Sequence, residues 1–187
     1  MSGNSFNPES FAKQIRQDRG PAPVHLWDPP FCGDIDMRIA RDGTWHYQGS
    51  PIQREAMVRL FSSVLRRDED QCHYLVTPVE KLRIQVEDCP FVATLVDREG
   101  EGAEQRLTFT LNTGEQVVAD SDHRITVGEH EGEPHPRLHV RDGLMALIHR
   151  NVFYQLADMA GEGRTEDNDQ VPGVWSEGEF FPMSGEH

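Results

Sequence analysis

The chain has 187 residues, 36% of them hydrophobic and 27% charged, which is typical of a folded globular protein and excludes a disordered chain. The formal net charge of −14 disfavours duplex nucleic acid and anionic membranes as partners. No apolar run reaches the roughly 20 residues of a membrane helix, and the N-terminus has no signal-peptide core, so we expect a cytoplasmic protein. Three widely spaced cysteines predict neither a disulfide framework nor a zinc site.

Residues 1–70 are predicted to form a small α+β unit. Asn7-Pro8 is typical of a helix start, and Gly20-Pro21 of a helix end. Apolar and polar residues alternate over 35–39, which indicates a half-buried strand. Asp42-Gly43 then favours a hairpin turn before a returning strand at 44–47. The next apolar residues recur at the spacing of an amphipathic helix: Met57, Leu60, Phe61, Val64 and Leu65.

Residues 71–187 are predicted to form a second unit, a seven-strand antiparallel roll capped by one helix. Period-two alternation, separated by turn signals, predicts strands at 73–77, 82–87, 91–98, 105–111, 115–119, 124–127 and 137–140. An apolar stripe from Leu144 to Met159 predicts a helix over 143–159. This element order is that of a pleckstrin-homology-like roll, in which the helix covers an open corner of the sheet.

The last stretch of the chain, 161–187, combines acidic and aromatic residues. It holds seven acidic residues against one base, Arg164. Its aromatic side chains, Trp175, Phe180 and Phe181, lie in an otherwise polar segment. We expect these aromatic residues to pack back across the body of the same chain.

A weak internal repeat is visible in the pattern of elements. Residues 35–65 are predicted as hairpin plus helix, and so are residues 124–156. The similarity lies in the pattern rather than in residue identity. It fits either a duplication or two ordinary hairpin–helix corners; a duplication would create an interface between the halves, which is a favoured place for a ligand.

Motifs of common hydrolases, zinc proteases, nucleotide-binding P-loops and calcium loops are absent from the sequence. The most suggestive polar segment is the predicted first strand, where Asp34, Asp36 and Arg38 project from one face. These side chains could hold a metal or a polar ligand. They could equally form a solvated face, or an ion pair with Arg59 or Lys81.

Four further residues are candidate ligand contacts. Thr77, Glu80 and Lys81 lie in a link between two predicted strands, where Lys81 could contact an anion or form an ordinary salt bridge. Trp45 shares a strand face with Tyr47 and could stack on a ring, or could form core under the adjacent helix.

Three segments together carry a family resemblance: CGDIDMRIARDGTWHYQGSPIQREAMVRLFSSVLRR, then YLVTPVEKLRIQVEDCPFVA, and later GVWSEGEFFPM. The chain resembles, over nearly its whole length, a bacterial family known as domain of unknown function 1285. The resemblance implies a two-part α+β fold with repeated motifs and a C-terminal half similar to pleckstrin-homology rolls. It implies no catalytic activity and no cofactor. It does imply a small signalling ligand that is held between the two parts. Among the positions that match the family, Asp36, Arg38, Thr77, Glu80 and Lys81 are those that could face a cleft between the two parts.

The leading hypothesis is therefore a binding protein and not an enzyme. It would hold a small anionic or nucleotide-like ligand where 1–70 meets the roll, with Arg38 and Lys81 supplying positive charge, Asp36 and Glu80 orienting donors, and Trp45 offering a stacking face. A second hypothesis is a scaffold that binds a protein partner at a sheet edge. The third is a metal-dependent hydrolase that uses Asp34 and Asp36.

Overall fold

The structure is a computed structural model, and it describes residues 6–15 and 21–184. The chain is a mixed α+β protein that divides into two compact units, Met1–Asp88 and Cys89–His187. The elements of the first unit are α1 (Pro8–Gln14), β1 (Phe31–Ile39), β2 (Trp45–Tyr47), β3 (Ser50–Pro51), α2 (Glu55–Ser63), β4 (Leu65–Arg67), β5 (His73–Val76) and β6 (Lys81–Val86).

The strands of the first unit form one six-stranded sheet in the order β3-β2-β1-β6-β5-β4. Neighbouring strands pair antiparallel, except that β1 and β6 run parallel. This parallel pair joins the first strand of the sheet to the last. The predicted hairpin at Asp42-Gly43 is confirmed: β1 and β2 pair around it, and Gly43 has a φ of 89°.

The core of the first unit forms where the alternating strand residues meet α2. Met37 and Ile39 of β1 and Trp45 of β2 are at most 1% exposed, and Phe61 of α2 is fully buried. The rings of Trp45 and Phe61 lie 6.1 Å apart. The helix α1 has the predicted start, because the Asn7 side chain accepts a hydrogen bond from the Ser10 N–H at 3.0 Å. Gly20, its predicted end, lies outside the described residues.

Up to residue 184, where the described part of the chain ends, the second unit contains two sheets and one α-helix. Its elements are β7 (Phe91–Glu99), β8 (Arg106–Leu111), β9 (Gln116–Val118), β10 (Ile125–His130), β11 (Glu133–Arg141), β12 (Leu144–Ile148), α3 (Arg150–Met159), β13 (Gly161–Arg164), β14 (Gln170–Ser176) and β15 (Glu179–Pro182). The larger sheet has the order β10-β11-β12-β7-β8-β9. The smaller sheet has the order β13-β14-β15 and is antiparallel throughout.

The six-stranded sheets of the two units share one strand order. Read from the other edge, the second sheet runs β9-β8-β7-β12-β11-β10, which repeats β3-β2-β1-β6-β5-β4 strand for strand. In both sheets the first strand pairs parallel with the sixth. The repeat therefore relates residues 31–86 to residues 91–148. The predicted match of 35–65 with 124–156 is wrong in its bounds, because α2 follows the third strand of its sheet and α3 follows the sixth.

The second unit differs in three respects from the predicted seven-strand antiparallel, pleckstrin-homology-like roll. Two of the predicted strands, at 73–77 and 82–87, belong to the first sheet, and the pair β7–β12 is parallel. The segment Leu144–Ile148, predicted as the start of the helix, is the strand β12. The helix α3 begins only at Arg150, where the His149 side chain accepts a hydrogen bond from the Asn151 N–H at 3.2 Å.

The division between the units lies after Asp88 and not after residue 70. The physical reason is strand pairing. β5 and β6 follow residue 70 in the chain, but β6 pairs with β1 and β5 pairs with both β6 and β4. A cut at residue 70 would divide this hydrogen-bonded sheet.

The aromatic tail packs against its own unit, as the sequence predicts. Phe181 is fully buried and Val174 is 1% exposed. Ser176 is also fully buried: its hydroxyl donates to the carbonyl of Ala119 at 2.6 Å and accepts from the N–H of Leu107 at 3.0 Å. These bonds fix the three-stranded sheet at a defined place on the larger sheet.

Within the described residues, each helix is too short or too polar to cross a lipid bilayer.

Candidate functional site

Trp45, predicted to offer a stacking face, is instead part of the hydrophobic core. Its side chain is 1% exposed and packs on Phe61. Its neighbour Tyr47 donates a hydrogen bond from its hydroxyl to the carbonyl of Phe6 at 2.8 Å. A ligand has no access to the Trp45 ring, so the alternative interpretation, core under the adjacent helix, describes this residue.

Thr77 and Glu80 form a tight turn between β5 and β6. Thr77 is 2% exposed, and its hydroxyl oxygen accepts hydrogen bonds from the N–H groups of Val79 and Glu80 at 3.4 and 3.2 Å. The N–H of Thr77 donates to the carbonyl of Glu80 at 2.9 Å. The Thr77 side chain therefore stabilises the turn, and its oxygen is occupied.

The polar residues of β1 mostly form ion pairs with neighbours in their own sheet. Arg38 pairs with Glu87, and the Asp34 carboxylate accepts hydrogen bonds from Arg83. Asp36 is exposed. Among the residues that the structure describes, no cluster of three or more His, Cys, Asp or Glu side chains is arranged to hold a metal. Nothing in this arrangement favours the hydrolase hypothesis.

Lys81 lies in a second polar cluster of the first unit. Its Nζ contacts the Asp68 carboxylate at 3.0 Å and lies 4.6 Å from the centre of the Tyr74 ring. Arg66 holds the other carboxylate oxygen at 2.7 Å. Partial burial raises the pKa of Asp68, but the hydrogen bonds from Arg66 and Lys81 outweigh this effect and leave the pKa below its usual value. The Lys81 charge is thus compensated within the fold.

His73, the first residue of β5, gives the first unit a pH-dependent stability. Partial burial, and secondarily the charge of Arg67, lowers the pKa of His73 from 6.5 to about 4. The folded state thus favours the neutral ring, so this contribution is complete above pH 6.5 and is lost as the pH falls towards 4. The pKa difference corresponds to a change of at most about 3 kcal/mol in the free energy of unfolding. Solvent screening of the half-buried ring reduces this change to about 1–2 kcal/mol.

Urea unfolding at pH 7.5 and pH 4 measures this loss. The wild type should lose about 1–2 kcal/mol more than the His73→Gln variant over this interval. The carboxylates of the chain titrate in both proteins, so their effect cancels in the comparison. Equal losses in the two proteins would contradict the assignment to His73.

The six predicted residues do not form one site. All of them lie in the first unit, although the sequence analysis divides them between two. Lys81 pairs in register with Phe31, and Arg38 with Gln85. Four residues along a strand separate Lys81 from Gln85, which places the two predicted cations about 13 Å apart along the sheet.

The second unit contains a cavity of about 780 Å³ with three arginines in its wall: Arg124, Arg137 and Arg164. We call it the arginine pocket. Arg137 lies on β11, Arg124 directly precedes β10, and Arg164 ends β13. The hairpin of β10 and β11 supplies one wall, and the small sheet supplies the other.

Arg137 is the arginine without a matched acceptor. Its Nε is buried and has no hydrogen-bond partner among the residues that the structure describes. Its neighbours along β11, Pro136 and Leu138, are buried. A buried N–H without an acceptor is unfavourable by about 1–3 kcal/mol. A ligand in the cavity would remove this penalty by drawing the Arg137 side chain towards it, so that the Nε–H meets an acceptor.

The other two arginines are exposed and each has a weak partner. Arg124 lies 3.6 Å from a Glu179 oxygen, and its guanidinium is 5.7 Å from the centre of the Phe181 ring. Arg164 donates to the side-chain oxygen of Asn168 at 2.9 Å. Neither contact is the two-bonded pair with a carboxylate that neutralises a guanidinium most fully. Both groups keep donors for an additional acceptor.

Carboxylates also line the arginine pocket: Glu166, Asp167 and Glu179. The formal charges of three arginines and three acids sum to zero. Glu166 and Asp167 are exposed, in the connection between β13 and β14. The pocket therefore offers strong donors from the arginines and strong acceptors from the acids.

Phe180 supplies an aromatic wall to the arginine pocket. Its ring covers two glycines: a Cβ added at Gly163 would lie 2.3 Å from the ring, and one at Gly173 would lie 2.5 Å from it. Trp175 flanks the ring with a centroid distance of 5.1 Å. The glycines let the ring lie directly on the backbone of β13 and β14, which fixes its position.

Sequence reasoning missed this site. Arg137 lies in a strand whose apolar residues, Leu138 and Val140, alternate with polar ones. The sequence pattern therefore indicates only that Arg137 is a polar residue facing outward. The one usable signal is the pair of Gly163 and Gly173 on strands beside Phe180, because glycine inside a strand often marks a close approach.

Two family models match the chain. Residues 22–89 match the model described as "Domain of unknown function (DUF1285), N-terminal domain". Residues 90–183 match the model described as "Protein of unknown function (DUF1285), C-terminal domain". No curated protein matches.

Two crystal structures of relatives are similar to this structure. A DUF1285 family protein from Silicibacter pomeroyi DSS-3 is 53% identical, with a TM-score of 0.87 over 94% of this chain and 93% of that chain. A DUF1285 family protein from Shewanella baltica OS155 is 24% identical, with a TM-score of 0.53 over 67% of this chain and 92% of that chain, which shows a shared fold alone. Since the two family models together cover almost all of its described residues, the chain belongs to the DUF1285 family.

Proposed function

We propose that this protein is a cytoplasmic, non-catalytic binding protein for a small anionic ligand, which it holds in the arginine pocket. The observation that carries the proposal is a cavity lined by Arg124, Arg137 and Arg164, in which the buried Nε of Arg137 has no acceptor among the described residues. Guanidinium groups match phosphate and carboxylate oxygens in charge and geometry.

The acidity of the chain is compatible with this function. The net charge of −14 repels a polyanion at long range, but a small anion needs only a local donor set. The carboxylates in the pocket wall restrict the ligand further, because they add repulsion for each additional negative charge. A ligand with one phosphate or carboxylate group fits this balance best.

The test is a calorimetric titration with inorganic phosphate at constant ionic strength. The wild type should bind it in the millimolar range or tighter, and Arg137→Gln should weaken binding about tenfold or more, because it removes the charge and the Nε donor. The matched control is Arg98→Gln on β7, which changes the net charge equally outside the pocket and should leave binding unchanged. Equal binding by the wild type and Arg137→Gln would overturn the proposal.

A second candidate function is a scaffold for a protein partner, which the edge strand β9 favours. β9 lies at the end of its sheet order, beside a cavity of about 530 Å³ whose wall includes Glu115, Asp120 and Glu177 together with Arg106 and His123. An extended peptide could add a strand at this edge. Affinity capture from the host, followed by cross-linking, tests it: a stoichiometric partner linked near 116–118 would support the scaffold, and cross-links confined to other surfaces would contradict it.

A further inference from the structure

We infer that the ligand of the arginine pocket is a nucleoside monophosphate, with its phosphate at Arg137 and its base on the Phe180 ring. This inference rests on the proposed function and adds the chemical class of the ligand. It draws on features that an inorganic anion would leave unused: the size of the cavity, the fixed aromatic wall and the acceptors at the rim.

The cavity is larger than an inorganic anion requires. Its volume of about 780 Å³ lies within the range of about 300–1,000 Å³ that is typical of sites for organic ligands and cofactors. Arg137 lies opposite Thr126 in the register of β10 and β11, two residues from Arg124, whereas Arg164 comes from the small sheet. A phosphate group on one of them leaves room for a sugar and a base.

The Phe180 ring is held in place before any ligand binds. Gly163 and Gly173 leave space for it against the backbone, where any larger residue would collide with it. Trp175 packs on it at an angle of 51°. A ring fixed in this way loses little freedom when a second ring stacks on it, which strengthens stacking with a nucleobase.

The exposed carboxylates match the polar edge of a base. Glu166 and Asp167 line the same cavity as Phe180 and Arg137. A carboxylate accepts hydrogen bonds and donates none, so it pairs with the N–H groups of an amino-bearing base such as guanine or adenine. Their negative charge also opposes a di- or triphosphate chain, which favours the monophosphate.

Calorimetric titrations with GMP, AMP, ribose 5-phosphate and inorganic phosphate test the inference. GMP and AMP should bind the wild type at least tenfold more tightly than ribose 5-phosphate, because only they carry a base that stacks. Phe180→Leu should remove this difference while leaving the affinity for inorganic phosphate within about twofold. Arg137→Gln should weaken the binding of all four probes.

Gly163→Ala is the second variant, in case Phe180→Leu fails to fold. The three heavy atoms nearest to its Cβ all belong to the Phe180 ring, so we expect the ring to move while the backbone keeps its place. It should reduce the preference for GMP and AMP and spare inorganic phosphate. If phosphate binds but neither nucleotide binds more tightly than ribose 5-phosphate, the inference fails and the proposed function stands. If none of the four binds, both fail.

Discussion

Replacing Trp45 by alanine should lower the free energy of unfolding by about 3–5 kcal/mol, the range for deleting a large buried aromatic side chain. The side chain is 1% exposed and packs on Phe61, which is itself fully buried. The deletion leaves a cavity between the sheet of the first unit and α2, because the surrounding strands are held by their hydrogen bonds. Equilibrium unfolding in urea measures the loss.

The matched control is Tyr154→Ala. Tyr154 is an aromatic residue of α3 that is 57% exposed, so its loss should change the free energy of unfolding by less than about 0.5 kcal/mol. A change in the free energy of unfolding as small as that of the control would contradict the burial of Trp45. The prediction that Trp45 stacks on a ligand would then apply again.

Gly173→Ala should lower the free energy of unfolding by about 2–3 kcal/mol through overpacking. The added Cβ would lie 2.4 Å from the carbonyl oxygen of Phe181 and 2.5 Å from the Phe180 ring. The ring could move, but the carbonyl belongs to the backbone of β15, which pairs with β14 at Gly173 and Pro182. Relief of the clash therefore requires the two strands to separate locally.

Gly161→Ala is the control for this substitution. Gly161 lies opposite Gly173 in the register of β13 and β14, and a Cβ added there would have no heavy atom within 4 Å. Its stability should be unchanged or slightly raised, because alanine restricts the unfolded chain. A loss of less than about 0.5 kcal/mol in Gly173→Ala would contradict the tight packing of Phe180 on the small sheet.

Local patterns in the sequence predicted the elements whose period is unambiguous. The alternation over 35–39 became β1, and the helical spacing from Met57 to Phe61 became α2. The segment Leu144–Ile148, predicted as the start of a helix, fits two periods at once. Leu144 and Ile148 are four residues apart and continue the spacing of α3, but as a strand they fall on one face with Ala146, and all three are buried.

The pairing of the strands could not be predicted from local sequence patterns, and it changed the interpretation of the candidate site. The parallel pair β1–β6 joins residues about 50 positions apart, so no local pattern marks it. The charges that looked available for a ligand, those of Arg38 and Lys81, meet Glu87 and Asp68 through this sheet. The opposite holds for the arginine pocket. No local pattern in the sequence marks Arg124, Arg137 and Arg164 as a site, and the β10–β11 hairpin and the small sheet bring them to one cavity.

The central claim is that the Nε–H of Arg137 donates to an anion. An NMR titration with inorganic phosphate that follows the arginine Nε–Hε resonances tests it most directly, with Arg98 as the internal reference outside the pocket. The account predicts a saturable shift of the Arg137 signal and a constant Arg98 signal. An Arg137 signal that stays constant, or that moves in parallel with Arg98 as a general salt effect, would contradict the account.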